Sequence, residues 1–290
     1  MQGTFFIHKG VGGLFKLIAI DLDGTLLNKD RKISKENKDI INRIIELGYE
    51  VVIATGRRYY SAKQMVKELD NHLIILANNG NIVRRSFDDE LVFAKFLDHE
   101  AYKDIILEGK KFGLHGIVHV DLYHEGVDMV VEMDEVNNSH MMYLSEPDKR
   151  YLVIPEKEIM EQERVLAVVY AGGSTVLNQF YNDINLKYPN RYNSHVLEKI
   201  YIAEAMYEAM NPLGSKWKSL LEYATQSGIK KEEIIAIGDD NNDLEMILNA
   251  GLGIAMKNSS ELVKKAAKII TQEDNNNSGV AIVLEKVLNL

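Results

Sequence analysis

Four short aliphatic runs stand out along the chain, and each stops at small polar residues. Leu17 to Ile20 stops at Asp21, Val51 to Ala54 at Thr55-Gly56-Arg57, Leu73 to Ala77 at Asn78-Asn79-Gly80, and Ile234 to Ile237 at Gly238-Asp239. Uninterrupted aliphatic runs of this length predict strands buried on both faces of a parallel sheet. Helical periodicity fills the gaps between them. Ser34 caps a segment with Ile40, Ile41, Ile44 and Ile45 on one face, stopping at Gly48, and a second helix spans about 59–69. Strands alternating with helices make a βαβαβ unit with right-handed crossovers. The same grammar returns late in the chain. Ser215 caps a helix carrying Trp217, Leu220, Leu221 and Ala224; after the strand at 234–237 come a helix to about Asn249, a strand from Leu252 to Met256, a helix from Ser260, a short strand near Ile269, a polar loop and a closing helix.

Between these halves the pattern loosens. Strand-like segments at 117–120, 127–132, 165–171, 193–197 and 200–205, with helices at 98–111 and 174–187, predict an α+β domain on a partly solvated sheet. Its many tyrosines and the Met141-Met142 pair read as core filling. Its six histidines, His140 among them, read as packing or surface residues. The expected organisation is an α/β, Rossmann-like doubly wound core (14–90 and 206–290), an inserted α+β cap (91–205) and an N-terminal extension (1–13).

Composition narrows what such a chain can do. A net charge of −9 argues against a general nucleic-acid binder. The absence of cysteine excludes disulfides, thiolate catalysis and thiolate metal sites. No apolar stretch approaches the roughly 18 residues of a membrane span, so a cytoplasmic location is expected.

The chemistry gathers at strand ends. Asp21 closes the first strand and Asp23 follows two residues on; two carboxylates beside an apolar core stay ionised cheaply only if a cation joins them. Oxygen ligands grouped this way suit magnesium, which also accepts substrate phosphate. Thr55, the backbone at Gly56 and Lys216 can surround a phosphoryl group, while Asp239 to Asp243 supply further carboxylates. Asp21 could then attack phosphorus as a carboxylate nucleophile, and Asp23 could act as general acid and then base.

The four segments DLDGTLL, ATGR, GSK and GDDNND, in this order, resemble the four motifs of the haloacid dehalogenase superfamily of phosphohydrolases. More narrowly the chain resembles the Cof-type subfamily, whose α+β cap is inserted between the second and third motifs; the likeness extends to Asn78-Asn79-Gly80, Tyr207-Glu208, Gly253 to Met256 with Asn258, and Ser278 to Ala281. The resemblance implies Asp21 as nucleophile and magnesium ligand, and Asp23 as acid/base with its backbone carbonyl on the metal. It implies Leu22 (through its backbone N–H), Thr55, Gly56, Lys216 and Asn242 on the phosphoryl oxygens, Asp239 on the metal, and Asp243 on it or just behind it. Two positions depart from the pattern: Trp217, where glycine is common, and Lys257, where a small residue is usual. The expected function is a magnesium-dependent phosphatase acting on a small phosphorylated metabolite, with the cap closing over the site. A phosphomutase of the same fold and a non-catalytic phosphometabolite-binding protein are the alternatives.

Overall fold

The computed structural model describes residues 14–69, 72–132, 144, 150–200 and 203–290. The N-terminal extension, His140 and Met141-Met142 lie outside the described residues. Two compact units are present: the chain up to Phe93 together with Ser215–Leu290, and Ala94–Gly214. In chain order the strands are β1 (Leu17–Ile20), β2 (Glu50–Ala54), β3 (Leu73–Ala77), β4 (Ile82–Arg85) and β5 (Leu91–Ala94). There follow β6 (Ile117–Leu122), β7 (Val127–Glu132), β8 (Tyr151–Ile154), β9 (Val165–Gly172), β10 (Asn193–Ile200) and β11 (Ala203–Met210), and then β12 (Ile234–Gly238), β13 (Leu252–Ala255) and β14 (Ile269–Ile270).

The larger sheet has the order β14-β13-β12-β1-β2-β3-β4-β5. β1 lies between β12 and β2 and runs parallel to both, with Ile20 level with Ile237 on one side and Ile53 on the other. Every residue of β1, β3 and β12 is buried, as a strand covered by helices on both faces requires. From β1 the sequence runs outward through β2 and β3 in one direction and through β12, β13 and β14 in the other. That reversal is the switch point of a doubly wound sheet, where the strand ends open a crevice for ligands.

The capping signals act as the sequence suggests. Ser34 Oγ accepts from the Asn37 amide at 3.2 Å and starts the helix Lys35–Glu46, which buries Ile40, Ile41 and Ile44. Ser215 Oγ accepts from the Lys218 amide at 3.0 Å and starts Lys216–Gln226. Trp217 is buried and belongs to the apolar cluster that also takes in Leu220, Ala224 and residues of β1 and β12. Lys257 pairs with Glu273 at 3.4 Å.

The structure adds three strands that the pattern did not reveal, β4 and β5 in the larger sheet and β8 in the smaller one. β4 returns antiparallel to β3, pairing Ile75 with Arg84. Arg84 and Arg85 disguise this strand as a polar segment; Arg84 is nonetheless buried, with its guanidinium 5.6 Å from the Tyr59 ring centroid and Nη1 bonded to the Asp89 carbonyl.

The second unit is a sheet of order β10-β11-β9-β6-β7-β8, antiparallel except where β7 meets β8. Tyr102, Tyr170, Tyr192 and Tyr207 fill the core between this sheet and the helices His99–Lys111 and Ser174–Lys187. The return to the first unit comes later than position 206. β11 stays paired with β9 and β10 as far as Met210, so residues 206–214 belong to the second unit.

One consequence of burial in the first unit is testable. Glu50 accepts a hydrogen bond from the Tyr223 hydroxyl, and burial raises its carboxyl above the ordinary value of 4.5, against that hydrogen bond. A raised folded pKa means that the folded state holds the proton more tightly, so stability falls as pH rises through that value. Glu50→Gln is expected to unfold at a higher temperature than the wild type at pH 7–8, with the gap closing below pH 4.5. Thermal melts across that range check it; a gap that stays constant with pH would show that the Glu50 charge does not matter.

Candidate active site

The residues singled out in the sequence converge on the carboxyl edge of the larger sheet. Asp21 follows β1 directly and Asp239 follows β12 directly, one on each side of the switch point. Carboxylate oxygens of Asp21, Asp239 and Asp243 lie within 4.8 Å of one another. Lys216, whose side chain is fully buried, donates to Asp21 Oδ1 at 2.7 Å and to Asp243 Oδ1 at 2.6 Å. The first turn of a helix is an unfavourable place for a lysine, and these two charge-assisted bonds compensate.

Local backbone explains how the cluster closes. After Asp21 the chain turns tightly, with Leu26 N bonded to Asp21 O at 3.2 Å and Leu27 N to Leu22 O at 2.8 Å. Gly24 adopts φ +79°, and a Cβ there would fall 2.2 Å from Asp239 Oδ2. Glycine is therefore required for both conformation and space. Thr25, next in the chain, donates from its hydroxyl to Asp239 Oδ1 at 2.8 Å.

The buried Asp243 is wholly engaged. Besides Lys216 on Oδ1, its Oδ2 accepts from the amides of Asp239 at 3.0 Å and Asp240 at 3.1 Å. It fixes both the lysine and the loop that presents Asp239. The Asp23 carboxylate is not one of the trio and is half exposed, gripped by Arg57 through Nε at 2.7 Å and Nη2 at 2.6 Å. Thr55 Oγ1 accepts from the Arg57 amide at 3.1 Å, which leaves its O–H free to donate elsewhere. Gly56 is exposed beside it, and Asn242 donates to Asn79 Oδ1 at 3.1 Å.

Electrostatics set the character of the cluster. Burial pushes the Asp21 carboxyl well above the usual carboxylate range; Lys216 pulls the other way, while Asp243 and Asp239 reinforce the rise. Burial likewise pushes Asp239 up to about 7, against the Thr25 hydrogen bond. For Lys216 burial opposes the charge, but Asp21 and Asp243 outweigh it and hold the ammonium protonated. Among the described residues, three carboxylates thus gather around one buried ammonium that is bonded to two of them. The donor set is all hard oxygen with an excess of negative charge, which fits a divalent metal ion.

Several partners were not foreseen from sequence: Thr25 for Asp239, Asn79 for Asn242, Arg57 for Asp23, and Asn258, whose Nδ2 donates to the Gly24 carbonyl at 2.8 Å. Among the described residues no helix is long and apolar enough to cross a membrane.

Comparison with known proteins agrees with this architecture. The family model for haloacid dehalogenase-like hydrolases matches residues 18–284. In Bacillus subtilis (strain 168), the 5-amino-6-(5-phospho-D-ribitylamino)uracil phosphatase YwtE is 30% identical over 285 residues, covering 94% of this chain and 98% of its own. Phosphatase YwpJ of the same organism is 27% identical over 300 residues, covering 94% and 100%. The crystal structure of a haloacid dehalogenase-like hydrolase from Bacteroides thetaiotaomicron is similar with a TM-score of 0.79 at 27% identity, covering 94% of this chain and 99% of that one. With its β1 and β12 carboxylates facing a buried lysine at the switch point, the chain belongs to the haloacid dehalogenase-like hydrolases.

Proposed function

We propose that this haloacid dehalogenase-like phosphatase hydrolyses small phosphomonoesters in the cytoplasm with the help of magnesium, by way of a phosphorylated Asp21. The observation that carries the reading is the meeting of Asp21, Asp239 and Asp243 with the fully buried Lys216. A site that only bound a phosphorylated molecule would have no use for a carboxylate held where it repels its ligand.

Asp21, Asp239 and the backbone carbonyl of Asp23 would hold magnesium, with Asp243 locking the loop and the lysine behind them. Bound there, the ion would neutralise charge on the phosphoryl oxygens and lower the repulsion between them and Asp21. The Leu22 and Gly56 amides, the Thr55 hydroxyl, the Lys216 ammonium and the Asn242 amide orient the phosphoryl group. The carboxylate of Asp21 attacks phosphorus as the ester oxygen departs with a proton from Asp23. Asp23, now a carboxylate, takes a proton from water as that water attacks the phosphorus of the aspartyl phosphate, releasing phosphate and restoring Asp21.

The names of the relatives support phosphatase chemistry, and one of them indicates a phosphorylated ribityl compound as a first substrate to try. The test is phosphate release from a panel of sugar phosphates, nucleotides and ribityl phosphates, with magnesium and with EDTA. Release that EDTA abolishes and magnesium restores is expected. Bisphosphate-dependent isomerisation without net phosphate release would replace the reading with a mutase.

A further inference from the structure

The Asn78-Asn79-Gly80 turn after β3 carries no role in the chemistry above, yet its backbone stands out among the described residues of the first unit. Three consecutive residues have positive φ: +47° at Asn78, +51° at Asn79 and +95° at Gly80. Asparagine tolerates left-handed backbone as a single residue, but a run of three such residues persists where the surroundings fix it, often beside a functional site. Here the surroundings are three of the loops assigned to the phosphoryl group. The amides of Asn78 and Asn79 donate to the carbonyls of Arg57 at 2.8 Å and Thr55 at 3.0 Å, bracing the loop that contains Gly56. The Gly80 carbonyl accepts from Ser219 Oγ at 2.6 Å on the Lys216 helix, and a Cβ at Gly80 would fall 2.4 Å from the Ser215 carbonyl oxygen. The side chain of Asn79 completes the set by accepting from Asn242 Nδ2 at 3.1 Å.

That last bond does specific work. An asparagine amide presents either N–H₂ or C=O to a ligand, and only the nitrogen can donate to a phosphoryl oxygen. By accepting one N–H, Asn79 Oδ1 fixes the nitrogen on its own side and leaves the second N–H of the same group to donate. Asn79 Oδ1 also stands 3.2 Å from where a Cβ on Gly56 would be, which places it against the second phosphate-binding loop.

We propose that Asn79 is a positioning residue of this site: it orients the Asn242 amide toward the phosphoryl group and ties it to the Thr55-Gly56 loop. The proposal rests on the phosphatase reading, in which Asn242 contacts phosphate. Asn79 acts through Asn242, so the two substitutions must not add.

The test is a double-mutant cycle of Asn79→Gly and Asn242→Ala, read by KM for a phosphomonoester and by calorimetric Kd for inorganic phosphate with magnesium present. Glycine accepts the left-handed backbone without strain, so Asn79→Gly keeps its melting temperature; Asn79→Ser, also too short to reach Asn242, replaces it if the glycine variant does not fold. Each single variant is expected to raise KM and Kd about tenfold with kcat within about threefold, and the double variant to stay near tenfold. An unchanged Asn79→Gly, or a double variant weakened about a hundredfold, would overturn the proposal. If the wild type binds phosphate but releases none from any ester, the phosphatase reading falls and the calorimetric cycle still decides the role of Asn79. Absence of phosphate binding in the wild type overturns both.

Discussion

Asp21→Asn is expected to lower phosphate release by at least about a thousandfold while leaving the protein folded and at least as stable as the wild type. The two halves of this expectation have separate causes. Turnover falls because an amide nitrogen or oxygen in place of the carboxylate cannot form the aspartyl phosphate, and neither of the other two carboxylates of the trio is set to replace it. Asp239 is held by Thr25, and Asp243 has both oxygens engaged. Stability does not fall because the Asp21 charge is one that burial disfavours, as its raised pKa shows, and Lys216 keeps Asp243 when Asp21 becomes neutral. Active sites commonly hold such unfavourable charges, and removing them often stabilises the fold. Phosphate release and thermal melts on the same preparation test the pair. Residual turnover above a few per cent of wild type would remove Asp21 from the nucleophile's role, and a large drop in melting temperature would make any loss of activity uninformative.

What could be read in the sequence follows from how far each signal reaches. Asp21 and Asp239 were legible because each directly follows an aliphatic run, and the run itself names the strand end. Lys216 was legible because a lysine in the first turn of a helix goes against the helix dipole, a local misfit that asks for a reason. The doubly wound core was legible for the same kind of cause, since strand and helix periods are local. Partnerships across the chain leave no such trace. Thr25 and Asp239 are 214 residues apart, Asn79 and Asn242 are 163 apart, and no spacing rule connects them. The Asp23–Arg57 grip likewise needs β1 and β2 to be side by side before it has meaning. Strand β4 was hidden because Arg84 buries a charged group where the pattern calls for an aliphatic one, and the end of β11 because Tyr207-Glu208 resembled a motif that leads into the lysine helix.

The second large effect is expected from Lys216→Met, chosen because methionine fills much of the same volume without the charge. Among the described residues, Lys216 is the one positive group bonded to the Asp21–Asp243 pair, both of whose carboxylates are buried. Taking it away leaves two buried carboxylates facing each other, and breaking a buried ion pair from one side costs about 3–5 kcal/mol. For a chain of this size that is a fall in melting temperature on the order of 10 °C. The same substitution removes a cation assigned to the phosphoryl group, so activity should vanish with it. Stability and chemistry can be separated by adding Asp243→Asn, which withdraws one of the two buried charges and keeps a side-chain oxygen for the Asp239 and Asp240 amides. The double variant is expected to recover a substantial part of the lost melting temperature and none of the lost turnover. Thermal melts of the wild type, Lys216→Met and the double variant decide it: equal melting temperatures for wild type and Lys216→Met would mean that the lysine does not hold the carboxylates together. Recovery of turnover in the double variant would mean that its role is structural and that the phosphoryl group does not need it.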